Sequence, residues 1–112
     1  MHNLVQFMRV IATSTLKYFW EQYPETEQAL KSWYQEVVSS DWPNPQSFKK
    51  KYRNASILSH KRVVFNICGN KFRLIVDIKY RLKIVFVVWL GTHEEYNLVD
   101  AKQIKYVKAN KK

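Results

Sequence analysis

Lys71, Arg73 and His93, all in the second half of the chain, are of the types needed to act together on a phosphate ester. Arginine presents a planar fork of donors and lysine a point charge, and both suit a phosphate oxygen. Histidine, with an unperturbed pKa of about 6.5, takes up and returns a proton near neutrality more readily than other side chains. His93 sits in Trp89-Leu-Gly-Thr-His-Glu-Glu-Tyr96, where either Glu94 or Glu95 could orient the imidazole. Tyr96 could donate a hydrogen bond or stack on a base. A structural reading competes for Glu95, since Thr92 as an N-cap with a glutamate three places on is a capping box.

Other chemistries lack their residues. His2, His60 and His93 are isolated and Cys68 has no second cysteine at ligand spacing, so no metal site is expected. With only two glycines there is no glycine-rich phosphate loop, and no local Ser/His/Asp motif is present. No cofactor is expected. Metal-free RNA cleavage needs only cations, a proton carrier and a polyanion, because the ribose 2′-hydroxyl supplies the nucleophile. The protein must align the backbone, neutralise a pentacoordinate phosphorane and move protons between oxygens. Arg73 and Lys71 are candidates for the charge, and His93 for the proton.

The whole chain suits a polyanionic partner, since its 112 residues carry a formal charge of +10. The bland alternative is a generally basic soluble protein. Five of the lysines fall in Lys102 to Lys112, and a basic tail is often only solvated. Nearly half the residues are hydrophobic, enough to fold as one domain. Residues 1–7 read as a leader ahead of an alternative start at Met8, 8–101 as the domain, and 102–112 as the basic tail. The lone Cys68 suits a reducing compartment. No signal peptide is visible, and the apolar run from Ile84 to Leu90 is far shorter than a membrane span. A cytoplasmic protein with no membrane partner is expected.

Periodicity marks the elements that must position these residues. Met8 to Ala12 is a short β-branched strand. Thr13 and Ser14 offer N-caps for a helix with Leu16, Phe19 and Trp20 at helical spacing, stopped by Pro24. From Glu25 the pairs Ala29/Leu30, Trp33/Tyr34 and Val37/Val38 form one apolar stripe on a second helix. Asn44-Pro45 starts a short third helix with Phe48 and Tyr52 inward. Lys49, Lys50, Lys51 and Arg53 lie on its other side, as a phosphate-facing patch or a solvated face. Three strands follow, at 62–67, 71–80 and 83–90, and then a short helix or turn beginning near His93.

The middle strand alternates most cleanly. Phe72, Leu74, Val76, Ile78 and Tyr80 point one way, and Lys71, Arg73, Ile75, Asp77 and Lys79 the other, giving a charged outer face. A two-residue hairpin at Gly69-Asn70, a pair that accepts positive φ, sets Asn66 opposite Arg73, Val64 opposite Ile75 and Arg62 opposite Asp77. Arg62 and Asp77 then form a cross-strand ion pair contributing a fraction of a kcal/mol. Lys71 and Arg73 have no acidic partner in this register and remain free for a phosphate. Asn66, Asn70 and Lys79 are further candidates for RNA contact. The last strand is apolar on both faces and therefore central, delivering His93 to the rim beside Asn70 and Lys71.

The order strand–helix–helix–hairpin–strand resembles the RelE superfamily of toxin ribonucleases, and the motifs most resemble the HigB-type mRNA interferase toxins. The matching segments are Met8-Arg-Val-Ile-Ala12, Phe19-Trp-Glu21, Ala55-Ser-Ile-Leu58, Val64-Phe-Asn66, Gly69-Asn-Lys-Phe-Arg-Leu74 and Gly91-Thr-His-Glu-Glu-Tyr96. The resemblance spans residues 8–100 and implies an α+β, RelE-like fold. Such a fold has an N-terminal strand, two to three helices, then an antiparallel sheet of three further strands with a short C-terminal helix or tail. The resemblance further implies the toxin of a type II toxin–antitoxin pair, an endoribonuclease acting on mRNA at the ribosome. Its partner would be a cognate antitoxin, a helix-turn-helix protein encoded nearby. The superfamily's basic sheet residues and late histidine or tyrosine map onto Lys71, Arg73, His93 and Tyr96. Two positions depart from the pattern: Asn97 stands where an aspartate is expected, and Cys68 where a glycine is usual. The alternative function is a non-catalytic RNA- or ribosome-binding module, with its basic face on phosphates and Tyr96 on a base.

Overall fold

The helical stripes and the inward faces of the strands meet as two layers in the computed structural model, which describes residues 6–106. β1 (Arg9–Ile11) leads into α1 (Thr13–Gln22), a 3-10 turn at Pro24–Thr26, α2 (Glu27–Val38) and the one-turn α3 (Gln46–Lys49). Then come β2 (Ser56–Ile57), β3 (Arg62–Ile67), β4 (Phe72–Lys79), β5 (Ile84–Thr92) and α4 (His93–Tyr96). The sheet order is β1-β5-β4-β3-β2, with β1 parallel to β5 and the other pairs antiparallel. The expected α+β order is therefore present, and β5 lies between β1 and β4, as its two apolar faces require. The exposed two-residue β2 is additional, too short to show an alternation.

Phe65 on β3 is the hub of the core. The rings of Trp33, Trp42, Phe48 and Tyr52 lie 5.7, 6.1, 5.4 and 5.0 Å from it. Burial of each large side chain contributes roughly 2–3 kcal/mol. Tyr52 keeps this contact although α3 ends before it, so its spacing from Phe48 is informative even without a continuous helix. Two helix starts differ from expectation. Thr13 and Ser14 do not cap α1: Ala12 is the N-cap residue, and it has no side-chain cap bond to offer the free amides there. Pro24 opens the 3-10 turn, and α2 begins only at Glu27.

The β3–β4 register is the expected one, with Asn66 opposite Arg73, Val64 opposite Ile75 and Arg62 opposite Asp77. The turn differs. Left-handed backbone falls on Cys68 (φ 56°) and Gly69 (φ 66°), not on Asn70. The Lys71 amide still donates to the Cys68 carbonyl at 3.2 Å, so the register survives. An L side chain at positive φ costs about 1–2 kcal/mol, which explains why glycine suits position 68.

The outer face of β4 is not simply charged. Ile75 is fully buried with Val64 and Val88, under Leu58, Trp89, Tyr96, Ala101 and Ile104. After α4 the chain thus crosses back over the sheet. Arg62 fastens this segment: Nε and Nη2 donate to Asp77 at 2.6 and 2.8 Å, while Nη1 donates to the carbonyls of Ala101 and Ile104 at 3.1 and 2.7 Å. With side-chain exposures of 11% and 18%, the pair is more than the expected surface contact. Removing one partner leaves a largely desolvated charge, a cost nearer 3 kcal/mol than a fraction of one.

Candidate active site

An irregularity in β5 decides where His93 emerges. Ile78 pairs with Val85 and Val76 with Val87, but Ile75 pairs with Trp89, so Val88 is an extra, bulged residue. Below the bulge the odd positions Val85 and Val87 face the main core. Beyond it the odd positions face outward, because one extra residue exchanges the two faces. Gly91 consequently lies opposite Arg73, and the His93 amide donates to the Lys71 carbonyl at 2.8 Å.

The two predicted groups converge there. Arg73 Nη2 is 3.1 Å from His93 Nδ1, Nη1 donates to the Asn70 carbonyl at 2.8 Å, and the guanidinium carbon lies 5.8 Å from the centre of the Tyr96 ring. A guanidinium has no acceptor, so Nδ1 must accept, which leaves the imidazole proton on Nε2. Asn66 Nδ2 donates to Asn70 Oδ1 at 2.9 Å and steadies the turn that holds Arg73. An open groove of about 430 Å³ runs beside these groups, lined by Asn70, Lys71, His93, Glu94 and Glu25. Glu25 comes from the 3-10 turn. Among the described residues neither Lys71 nor Arg73 is ion-paired with a carboxylate.

Neither glutamate beside His93 bonds the imidazole. Thr92 and Glu95 form a capping box: Thr92 Oγ1 accepts from the Glu95 amide at 3.0 Å, and Glu95 Oε1 from the Thr92 amide at 2.7 Å. The Tyr23 hydroxyl adds bonds of 2.8 and 2.9 Å to the same carboxylate. The Thr92 amide and Tyr23 hold Glu95 below the usual carboxyl range. Burial, reinforced by Glu95, pushes Tyr23 up to about 12, so it stays a donor. Tyr23 has no local sequence signal, since it lies 72 positions from its partner. The close approach also needs glycine at 91: a Cβ there would meet the Trp89 ring at 2.5 Å and Glu95 Oε1 at 2.7 Å.

The remaining candidates are dispersed. Tyr96 packs beside Trp89 and beneath Arg73, supporting the guanidinium. Lys79 is at the far end of β4, opposite Ile84. Lys49 donates its ammonium to the carbonyls of Arg53 and Ala55, at 3.0 and 2.7 Å, and Lys50 is exposed beside it at the end of α3. Both belong to the helical layer, away from the rim. Asn97 is the exposed C-cap residue of α4. Among the described residues no cluster of three His, Cys, Asp or Glu could hold a metal, and no helix is long and apolar enough to cross a membrane.

Known proteins share this chain's pattern. An mRNA interferase HigB from Escherichia coli O6:H1 is 26% identical over 106 residues, 93% of this chain and 99% of its own length. The mRNA interferase toxin HigB of Escherichia coli K12 is 24% identical over 96 residues, 84% of this chain and 92% of its own. Residues 26–99, which hold every group at the rim except Tyr23 and Glu25, match the family HigB_toxin, described as the RelE-like toxic component of a toxin–antitoxin system. By that match across most of its length, the chain belongs to the HigB toxin family.

Proposed function

We propose that this protein is an mRNA endoribonuclease that needs no metal and cuts message on the ribosome by attack of the ribose 2′-hydroxyl on the adjacent phosphorus. The observation that carries this reading is the 3.1 Å approach of Arg73 to His93 at an exposed rim beside Lys71. The name mRNA interferase, borne by the relatives, supplies the substrate class. As the O2′–P bond forms and the P–O5′ bond breaks, negative charge grows on the phosphoryl oxygens. Arg73 donates to them from its fork and Lys71 adds a point charge. His93 serves the proton transfers, with Nε2 as its proton-bearing atom while Nδ1 faces Arg73. The products are a 2′,3′-cyclic phosphate and a 5′-hydroxyl. A cognate antitoxin, a helix-turn-helix protein encoded nearby, restrains the activity.

Message cut by the purified protein on intact ribosomes should carry 2′,3′-cyclic phosphate and 5′-hydroxyl ends. Arg73→Ala and His93→Ala should each lower the rate by about 10²–10⁴ while leaving thermal unfolding unchanged. Ends bearing a 3′-hydroxyl and a 5′-phosphate overturn the chemistry, and full activity in both variants overturns the site. Salt-sensitive RNA binding without products would instead make the protein a binding module.

A further inference from the structure

At the end of the sheet opposite the rim, β4 and its turn into β5 border an open groove of about 940 Å³. Lys61, Lys79 and Arg81 surround it, Tyr80 and Leu82 line it, and the His60 ring lies 5.4 Å from that of Tyr80. Among the described residues these three cations have no carboxylate partner, whereas neighbouring Lys83 is paired with Asp41. Tyr80 is only 7% exposed, and its hydroxyl, closed off from solvent, has no hydrogen-bond partner among the described residues. Buried hydroxyls are ordinarily satisfied, so an orphan beside a groove is a group that a ligand oxygen can complete. Leu82 is 64% exposed at the same place, an apolar surface that inorganic phosphate would not use. Unpaired cations, an orphan hydroxyl and an apolar and aromatic lining are met together by a nucleotide, with its phosphates on the cations and its base on the apolar surface.

We propose that this groove is a second RNA subsite, holding a nucleotide of the strand whose scissile phosphate lies at Arg73 and His93. The proposal rests on the endoribonuclease reading. Lys79 and Arg73 lie six residues, or about 20 Å, apart along β4, a separation that one single strand can span by passing around the returning segment that covers Ile75 between them. A protein partner is less well matched, because the cations flank the exposed His60 ring, on which a base can stack.

The test is the double variant Lys61→Ala with Arg81→Ala, neither of which is at the rim. For a long single-stranded RNA, Kd should rise at least ten-fold, with kcat on ribosome-bound message unchanged. The slope of log affinity against log salt should fall by about 1.4, at about 0.7 per phosphate contact on a single strand. For a dinucleotide, which cannot reach from rim to groove, Kd should be unchanged. Anisotropy of labelled long RNA on a His93→Ala background should report the same loss of binding whether or not the chain cuts RNA, which separates failure of the groove from failure of the nuclease reading. Tyr80→Phe should weaken long-RNA binding while keeping or raising thermal stability. Equal losses on long and short RNA, or no loss on either, overturn the subsite. So does unchanged RNA affinity with weakened antitoxin binding, which makes the groove a protein-docking surface.

Discussion

At the scale of residues, the rim depends on two layers of contact: Arg73 and His93 face solvent, while Tyr23 and Glu95 hold the helix that carries the imidazole. Tyr23→Phe keeps the ring against Phe72, whose centre is 5.1 Å away, and removes only the hydroxyl. Losing those bonds should cost about 1 kcal/mol of stability. If α4 is then less well held, kcat should fall several-fold with KM little changed, and the pH–rate profile should keep its shape because His93 is intact. An unchanged kcat would show that Tyr23 has no positioning role. The sign of the acid response follows from Glu95. Its carboxyl is depressed in the fold, so its contribution is present above the ordinary carboxyl pKa and is lost as pH falls through the folded value.

The bulge at Val88 carries the argument at the scale of elements. It exchanges the faces of β5 between a lower half that fills the core and an upper half that serves the rim. Deleting Val88 removes the bulge but leaves Trp89 opposite Ile75 and Gly91 opposite Arg73, so His93 stays on its face and cleavage should survive at a cost in stability. Val88→Ala keeps the bulge and should retain activity, at a stability cost of about 1–3 kcal/mol. A deletion variant that folds but no longer cuts RNA would show that Val88 does more than set the phase of the strand. The returning segment after α4 is a second such device. Through Arg62 and the Ile75 cluster it seals the sheet beneath Tyr96.

For the molecule as a whole, three tyrosines set the alkaline limit. Tyr23, Tyr52 and Tyr80 are each pushed up to about 12, in every case chiefly by burial. A raised folded pKa means that these hydroxyls contribute stability fully below the unfolded value of 10.0 and lose it as pH rises through about 12. Denaturant midpoints should therefore drop across that window, with part of the tyrosinate absorbance appearing only as the protein unfolds. Complete titration near 10 with unchanged midpoints would contradict this. The +10 charge adds self-repulsion that a polyanion or an acidic partner relieves.

Much of this was legible in the chain alone. Alternation in 72–80 and the stripe from Ala29 to Val38 named the core, and the β3–β4 register followed from turn chemistry and binary pattern together. Asn66, Asn70 and Arg73 were thereby already neighbours, and the capping box was readable as Thr92 and Glu95. These features arise from residues close in sequence, or from strands joined by one short turn. The face on which His93 emerges was not readable, because a strand apolar on both sides has no phase and only pairing against β4 reveals the extra residue. Nor was the Tyr23–Glu95 tie, or the hold of Arg62 on the carbonyls of Ala101 and Ile104, readable in advance. Such contacts join positions tens of residues apart, and no local propensity encodes them until the sheet closes and the chain returns across it.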